Sequence, residues 1–306
     1  MRNTFSETLY ECAKVDPNVY IVVADISPAG SMAKFQTEYP ERFINVGVAE
    51  QVMIGMAAGL ALKGCRPFAY TIATFSLYRP FEMIRDDLGY QNLPVTVVGM
   101  GAGIIYSTLG GTHHTQEDIA IAGAIPNMQI LAPCDPLECI DATRFCAVQN
   151  KGPMYLRIGK AGEPKLTENA VEPFVFGKLR YLRRGTDVCI LSYGVIMKIA
   201  TEVADRLQSE GKTVSLVSCH TLKPLDREGI EHALHTHKHV IVIEEHAPQG
   251  GLAPQTKQIA WDSGASCRLD CFTLKDEFIH NYGSYEDLLA SHGISMQTIM
   301  NRIGAA

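Results

Sequence analysis

No apolar run in this chain approaches the ~20 residues needed to span a bilayer. The opening residues, Met1-Arg2-Asn3-Thr4-Phe5-Ser6-Glu7, lack the apolar core of a signal peptide. Cys-x-x-Cys pairs are absent, and the nine cysteines are scattered and odd in number. Cys267 and Cys271 lie four apart in an expected strand. That usage predicts reduced thiols in a cytoplasmic protein and no zinc site. Basic excess is absent too: 27 basic against 33 acidic residues leave a net charge of -6. This balance argues against non-specific nucleic-acid binding. Internal repeats and low-complexity tracts do not occur.

What is present is ordinary globular material, 306 residues long, 46% hydrophobic and 20% charged. The length suggests roughly two domains. Apolar strand-like runs alternate with helix-like segments. Strands are expected at Val19–Val23, Pro67–Tyr70, Val95–Met100, Met128–Leu131 and Met154–Arg157. Helices are expected at Thr4–Val15, Gln51–Lys63, Pro80–Leu88 and Pro136–Gln149. Val95–Val98 is apolar except for Thr96, as a central parallel strand would be. A Gly- and Pro-bearing stretch, Gly162–Phe174, interrupts the pattern, which then restarts. The second set has strands at Val188–Ser192, Thr213–Val217, Val240–Glu244 and Arg268–Phe272. Its helices fall at Val195–Gly211, Asp226–His235, Gly251–Asp262, Tyr285–Ala290 and Met296–Ile303. The expected fold is α/β: two domains, each a mostly parallel sheet flanked by helices, over 1–165 and 178–306, with a linker over about 166–177.

Three stretches carry chemistry. The first is Gly47-Val48-Ala49-Glu50-Gln51, between the apolar strand signal Phe43–Val46 and a helix of small residues. A carboxyl at the start of a tightly packed helix suits proton exchange with a buried nitrogen; the plainer reading is a favourable helix-dipole partner. The second runs from a strand end into a helix through Phe75, Tyr78 and Phe81. Their i, i+3, i+6 spacing makes one aromatic stripe if the segment is helical. Such a stripe faces a core or stacks on a flat heterocycle. The third is Gly110-Gly111-Thr112-His113-His114. Two glycines let backbone approach a ligand closely, and a histidine can shuttle protons or polarise a hydroxyl. Neighbouring side chains diverge, so one of His113 and His114 is the candidate, and His113 is preferred. Glu117 and Asp118 read as helix-start stabilisers. His232, His235, His237 and His239 read as solvated surface, since a structural metal needs four converging ligands.

Taken in order, Asp25, Gly47–Gln51, Ala73-Thr74-Phe75, Gly110–His113 and Leu156-Arg157 resemble the pyrimidine-binding domain of transketolases. Thr221-Leu222-Lys223-Pro224-Leu225-Asp226 and Glu244-Glu245-His246…Gly250-Gly251-Leu252 resemble that family's C-terminal domain. The likeness covers essentially the whole chain. The Gly-Asp-Gly…Asn motif that holds Mg²⁺ against a diphosphate in that family does not occur here. The resemblance therefore implies the C-terminal subunit of a split transketolase, with thiamine diphosphate as cofactor and the Mg²⁺ ligands on a separate N-terminal subunit. Self-association as a dimer, sugar or sugar-phosphate substrates, and no dealings with nucleic acid or membrane complete that expectation.

The resemblance also assigns roles. Glu50 would bond the aminopyrimidine ring nitrogen and favour the tautomer that takes the thiazolium proton, the cofactor supplying the electron sink. Phe75, Tyr78 and Phe81 would surround the pyrimidine, with Asp25 near the cofactor pocket. His113 would contact substrate hydroxyls, and Arg157 and Arg2 would bind substrate phosphate, for which a guanidinium fork is suited. The plainer reading of Arg157 is a surface arginine on an edge strand. Departures from ordinary transketolases also occur. Gly101 stands where a phosphate-contacting histidine is expected, Leu109 replaces a hydroxyl-reading aspartate, and Ala29 lies near an expected serine. Loss of polar readers removes hydroxyl selectivity. The expected reaction moves a two-carbon ketol unit from a ketose to an aldose, the second domain serving assembly. Alternatives are the beta subunit of a 2-oxoacid dehydrogenase decarboxylating component, a deoxyxylulose-phosphate-synthase-like enzyme, or a non-catalytic homodimer.

Overall fold

The computed structural model of the chain describes residues 1–26 and 30–304. Ala29, one of the departures above, lies outside them. The first half runs α1 (Arg2–Val15), β1 (Val19–Val23), α2 (Met32–Glu38), β2 (Phe43–Asn45), α3 (Glu50–Leu62), β3 (Arg66–Ile72), α4 (Ala73–Leu77), α5 (Phe81–Met83), β4 (Thr96–Met100), α6 (Asp118–Ala124), β5 (Gln129–Leu131), α7 (Pro136–Val148) and β6 (Met154–Ile158). The second half runs β7 (Arg180–Arg183), β8 (Val188–Ser192), α8 (Met197–Ser209), β9 (Val214–Ser218), β10 (Thr221–Lys223), α9 (Arg227–Thr236), β11 (His239–Ile243), α10 (Leu252–Ser263), β12 (Arg268–Phe272), α11 (Tyr285–Ser291) and α12 (Met296–Gly304). No helix among the described residues is long and apolar enough to cross a membrane.

Two sheets result. The first has the order β10-β5-β6-β4-β3-β1-β2, and every pairing except β10 with β5 is parallel. The second has the order β12-β11-β8-β9-β7, parallel except for the β7–β9 pair. Central strands β4 and β6 are buried at every residue, which is why they read as apolar runs with little alternation. Opposite faces of the first sheet feed separate cores. Val22, Ala69, Val97 and Tyr155 face the α3 side, and Ile21, Phe68, Val98 and Leu156 face the α1 side. The α3-side core continues into Leu191, Val217 and Leu222 of the second half. The halves therefore share one core, and each fully buried Leu or Val contributes about 1.5–3 kcal/mol.

Two local features depart from the sequence reading. The helix expected over Pro80–Leu88 is only the short α5, followed by wider π-type turns over Ile84–Tyr90. There Gly89 packs so closely that a Cβ would come within 2.7 Å of Ile125 Cγ2. Strand β10 belongs by sequence to the second half, yet its Thr221 and Lys223 pair with Leu131 and Ile130 of the first sheet. The junction is sealed further by Asp135. It caps α7 by accepting from Glu138 N at 2.7 Å and also accepts from the backbone of Leu166 and Thr167. Glu138 then pairs with Arg180 at 3.3 Å.

Helix α3 is apolar nearly all round. Met53, Ile54, Ala57, Ala58 and Ala61 lie against the sheet. Its other face presents Val52, Met56 and Leu62 to solvent, with Gly55 and Gly59 between them. A helix apolar on all sides normally has both faces covered. All nine cysteines are free thiols. The four histidines do not form one solvated patch: His232 and His235 are exposed, whereas His237 is buried on Ser215 and backbone carbonyls. His239 pairs with Asp270. Burial of the aliphatic stripe of α9 draws His237 inward as the helix ends.

Candidate functional site

The carboxyl ends of β1, β2, β3, β4 and β6 all open on one edge of the first sheet, the usual ligand side of a parallel sheet. Asp25 follows β1 in a left-handed conformation, with φ 59°. Its N–H and that of Gly47 both donate to Asn45 Oδ1 at the end of β2, at 3.2 and 2.9 Å. Asn45 thereby fixes the turn that leads into Glu50. Asp25 itself is exposed on this edge.

Glu50 is the first residue of α3, and its carboxyl is almost fully buried. It is not alone there. Arg79 Nη1 donates to Glu50 Oε1 at 3.0 Å, and the same guanidinium lies 4.2 Å over the Phe75 ring. Phe75 in turn meets His113 edge-on at 5.2 Å, and His113 meets Tyr106 at 5.9 Å. These contacts make a continuous wall from Glu50 to Tyr106. Arg79 belongs to no motif in the sequence, because its partner lies twenty-nine positions away.

The aromatic stripe splits. Helix α4 ends at Leu77, and a turn through Pro80 intervenes before α5. Phe75 is left on the open edge, whereas Tyr78 and Phe81 pack against the α3-side core. The Tyr78 hydroxyl is buried without a partner, and burial, with Asp118 and Glu117 nearby, raises its pKa well above the ordinary value.

His113 and His114 do diverge. His113 is partly exposed, with Nδ1 2.9 Å from Thr112 Oγ1. His114 is buried, and neither ring nitrogen has a partner. Burial lowers the pKa of both, which favours neutral imidazoles near pH 7. Gly101 has φ 68°, and a Cβ there would clash with the Tyr106 ring. The aromatic ring thus occupies the room that a side chain at 101 would need. Leu109, about half exposed, lies on the same loop. At its rim, Lys160 Nζ is 4.8 Å from the Tyr106 ring and Arg2 N donates to Lys160 O at 3.2 Å. Arg2 Nε is buried without a partner.

Arg157 fits neither sequence reading. It lies on β6, inside the sheet, and is buried. Its Nε donates to Asp118 Oδ2 at 2.9 Å and its Nη2 to the Glu245 carbonyl at 3.2 Å. With the guanidinium so engaged, it offers no open face to a substrate phosphate. Asp118 is more than a helix-start residue: it also accepts from the Tyr155 hydroxyl at 2.8 Å. Two carboxyls, Asp118 and Glu245, therefore share one cation. The Glu245 carboxyl has none of its own, so burial raises its pKa from 4.5 to about 7, with Arg157 and the Ile104 N–H opposing the rise.

The residues present fit the pyrimidine half of thiamine diphosphate. Glu50 and Phe75 already hold a planar, nitrogen-bearing group between a carboxylate and an aromatic face. An aminopyrimidine makes the same two demands. Among the described residues no group of three or more His, Cys, Asp or Glu could hold a metal ion.

Residues 1–163 match the family model "Transketolase, pyrimidine binding domain", and residues 177–299 match "Transketolase, C-terminal domain". A Methanocaldococcus jannaschii protein provisionally named transketolase C-terminal section is 36% identical over 304 residues, covering 99% of this chain and 95% of that protein. One of the two chains named for the apulose-4-phosphate transketolase of Phocaeicola vulgatus is 31% identical, covering 97% of this chain and 94% of that protein. A solved structure described as a split gene transketolase, inactive beta4 tetramer, superposes with a TM-score of 0.87 at 30% identity, covering 100% of this chain and 97% of that one.

The Glu245 carboxyl makes a pH signature. Its folded pKa lies above the unfolded value, so its contribution to stability is full below about pH 4.5 and is lost as pH rises to about 7. Urea midpoints measured between pH 5 and 8 are expected to fall more for the wild type than for Glu245→Gln. Parallel curves would show that Glu245 is already ionised throughout this range.

Proposed function

This chain belongs to the transketolase family, and on that premise we propose that it is the C-terminal subunit of a two-chain, thiamine diphosphate-dependent transferase. The reaction we assign is transfer of a two-carbon ketol unit from a ketose, or ketose phosphate, to an aldose. One observation carries this reading: Glu50 and Phe75 grip a planar cation beside His113, on the ligand edge of the sheet.

When bound, thiamine diphosphate supplies the electron sink for carbon–carbon cleavage. In our reading Glu50 exchanges a proton with the aminopyrimidine ring nitrogen, and Arg79 withdraws as the ring enters. Phe75 stacks on the heterocycle, backed by Tyr78 and Phe81, with Asp25 at the pocket's edge. His113, neutral near pH 7, hydrogen-bonds substrate hydroxyls. Arg2 and Lys160, rather than Arg157, offer positive charge to a substrate phosphate. Diphosphate and Mg²⁺ ligands come from a separate N-terminal subunit.

The uncovered face of α3, with Val52, Met56, Gly55 and Gly59, supports a tight helix contact with another chain. We read it as part of the assembly surface, where a two-fold pair of this chain meets the partner subunits. The test is direct. In the assembled enzyme, Glu50→Gln is expected to slow hydrogen–deuterium exchange at the thiazolium carbon by about 10²–10⁴-fold, the range of acid–base contributions. Unchanged exchange would remove Glu50 from the mechanism.

Acceptor choice is the second expectation. The Tyr106 ring beside Gly101, and Leu109 nearby, make the substrate end of the pocket poor in hydrogen-bond partners. A branched or deoxy sugar phosphate then suits it better than ribose 5-phosphate, in keeping with the apulose-4-phosphate relative. Comparing kcat/KM for such acceptors with that for ribose 5-phosphate checks this; a clear preference for ribose 5-phosphate contradicts it.

A further inference from the structure

The loop over 103–115, which carries Tyr106, Leu109 and His113, closes on itself at its neck. Gly103 N donates to Thr115 Oγ1 at 2.6 Å, and Thr115 N donates to Gly103 O at 2.8 Å. What holds that neck to the rest of the molecule comes from the second half of the chain. Ile104 N donates to Glu245 Oε1 at 2.6 Å. Just past the neck, Ala247 N donates to Gln116 O at 2.7 Å, and Ala120 N to His246 Nε2 at 3.3 Å. Gln116 Nε2 donates to the Glu277 carbonyl at 3.3 Å.

Glu245 is the centre of this clamp. It follows β11 and is fully buried. Gly103 lies so close that a Cβ there would collide with the Glu245 carboxyl. Arg157 and Asp118 approach from the first half, and the buried Tyr285 hydroxyl lies beside the carboxyl from α11. Neighbouring Glu244 has a different task. Its carboxyl accepts from Leu252 N, Ala253 N and the Tyr193 hydroxyl, and so caps α10. The two adjacent carboxyls thus point to opposite partners, one to its own domain and one to the loop.

We propose that Glu245 is a positioning residue for the His113 loop, so that the second domain sets the geometry of a site to which it contributes no contact. A loop of this length with three glycines is costly to order. An acceptor buried under its neck removes that cost before substrate arrives, as preorganised sites require. A second domain that served only assembly would have no reason to bury a carboxyl against the first domain's loop, where desolvation opposes the charge. That His113 touches substrate rests on the function proposed above; the anchoring of its loop does not.

The test is amide hydrogen exchange on the full chain, which needs neither partner nor cofactor. Glu245→Leu keeps the volume and removes the acceptor, leaving Ile104 N–H unsatisfied. It is expected to speed exchange over 104–113 by about tenfold or more, the scale of one lost buried hydrogen bond, with β3, β4 and β6 unchanged. Glu245→Gln retains an oxygen for Ile104 and is expected to restore the slow rate. Loop exchange as slow in a folded Glu245→Leu protein as in wild type would overturn the proposal, as would equal acceleration along the whole chain. Should Glu245→Leu not fold, His246→Leu reads the same clamp: faster exchange at 116–121 that spreads into the loop supports it, and none contradicts it. In the assembled enzyme, Glu245→Leu is expected to raise KM for the sugar while leaving cofactor affinity unchanged. A loosened loop with unaltered KM would count against His113 as a substrate contact, not against the clamp.

Discussion

The buried pair of Arg157 and Asp118 is the interaction on which the arrangement turns. Neither side chain reaches solvent, and the pair is completed by the Tyr155 hydroxyl and the Glu245 carbonyl. Such a pair adds little net stability, since desolvation offsets the attraction, but breaking it costs about 3–5 kcal/mol. Its value here is one of register. It ties β6 to the start of α6 and both to the end of β11. The His113 loop leaves β4 and returns at α6, so its endpoints are fixed by the same contact. The neighbouring Glu245 lies uncompensated because Asp118 already takes the available cation.

Around this fixed point the ligand edge is assembled from five strand ends. The acidic, aromatic and imidazole groups come from separate connections, and each is held by a different local device. Asn45 sets the turn before Glu50, the break after Leu77 turns out Phe75, and Glu245 holds the His113 loop. Arg79 bridges the first two. A cation paired with Glu50 over an aromatic ring satisfies a buried carboxyl that would otherwise be costly. It also keeps the pocket shaped for a planar ligand.

Much of this was legible in the sequence, because parallel strands and small-residue helices write themselves as local patterns. The strands β1, β8 and β12 lie at the positions that their apolar runs indicated. The Gly-rich approach to His113 and the helix start at Glu50 were equally local. What escaped was non-local. Arg79 has no meaning until α4 brings it back over α3. Arg157 reads as a phosphate ligand or a surface residue until Asp118 is placed beside it. Strand β10 joins the first sheet although the chain has already passed into the second domain, and no periodicity announces which sheet a three-residue strand will choose. The Phe75, Tyr78 and Phe81 stripe assumed a continuous helix, which the turn at Pro80 interrupts.

The central claim is that this chain holds one half of a cofactor site whose other half lies on a second polypeptide. Isothermal titration of thiamine diphosphate with Mg²⁺ tests it most directly, comparing this chain alone, a chain bearing the Gly-Asp-Gly…Asn motif alone, and their mixture. The account predicts tight, saturable binding by the mixture and weak binding by this chain alone, because most charged contacts to the diphosphate would be missing. Tight binding by this chain alone, with turnover in the absence of any second polypeptide, would contradict it.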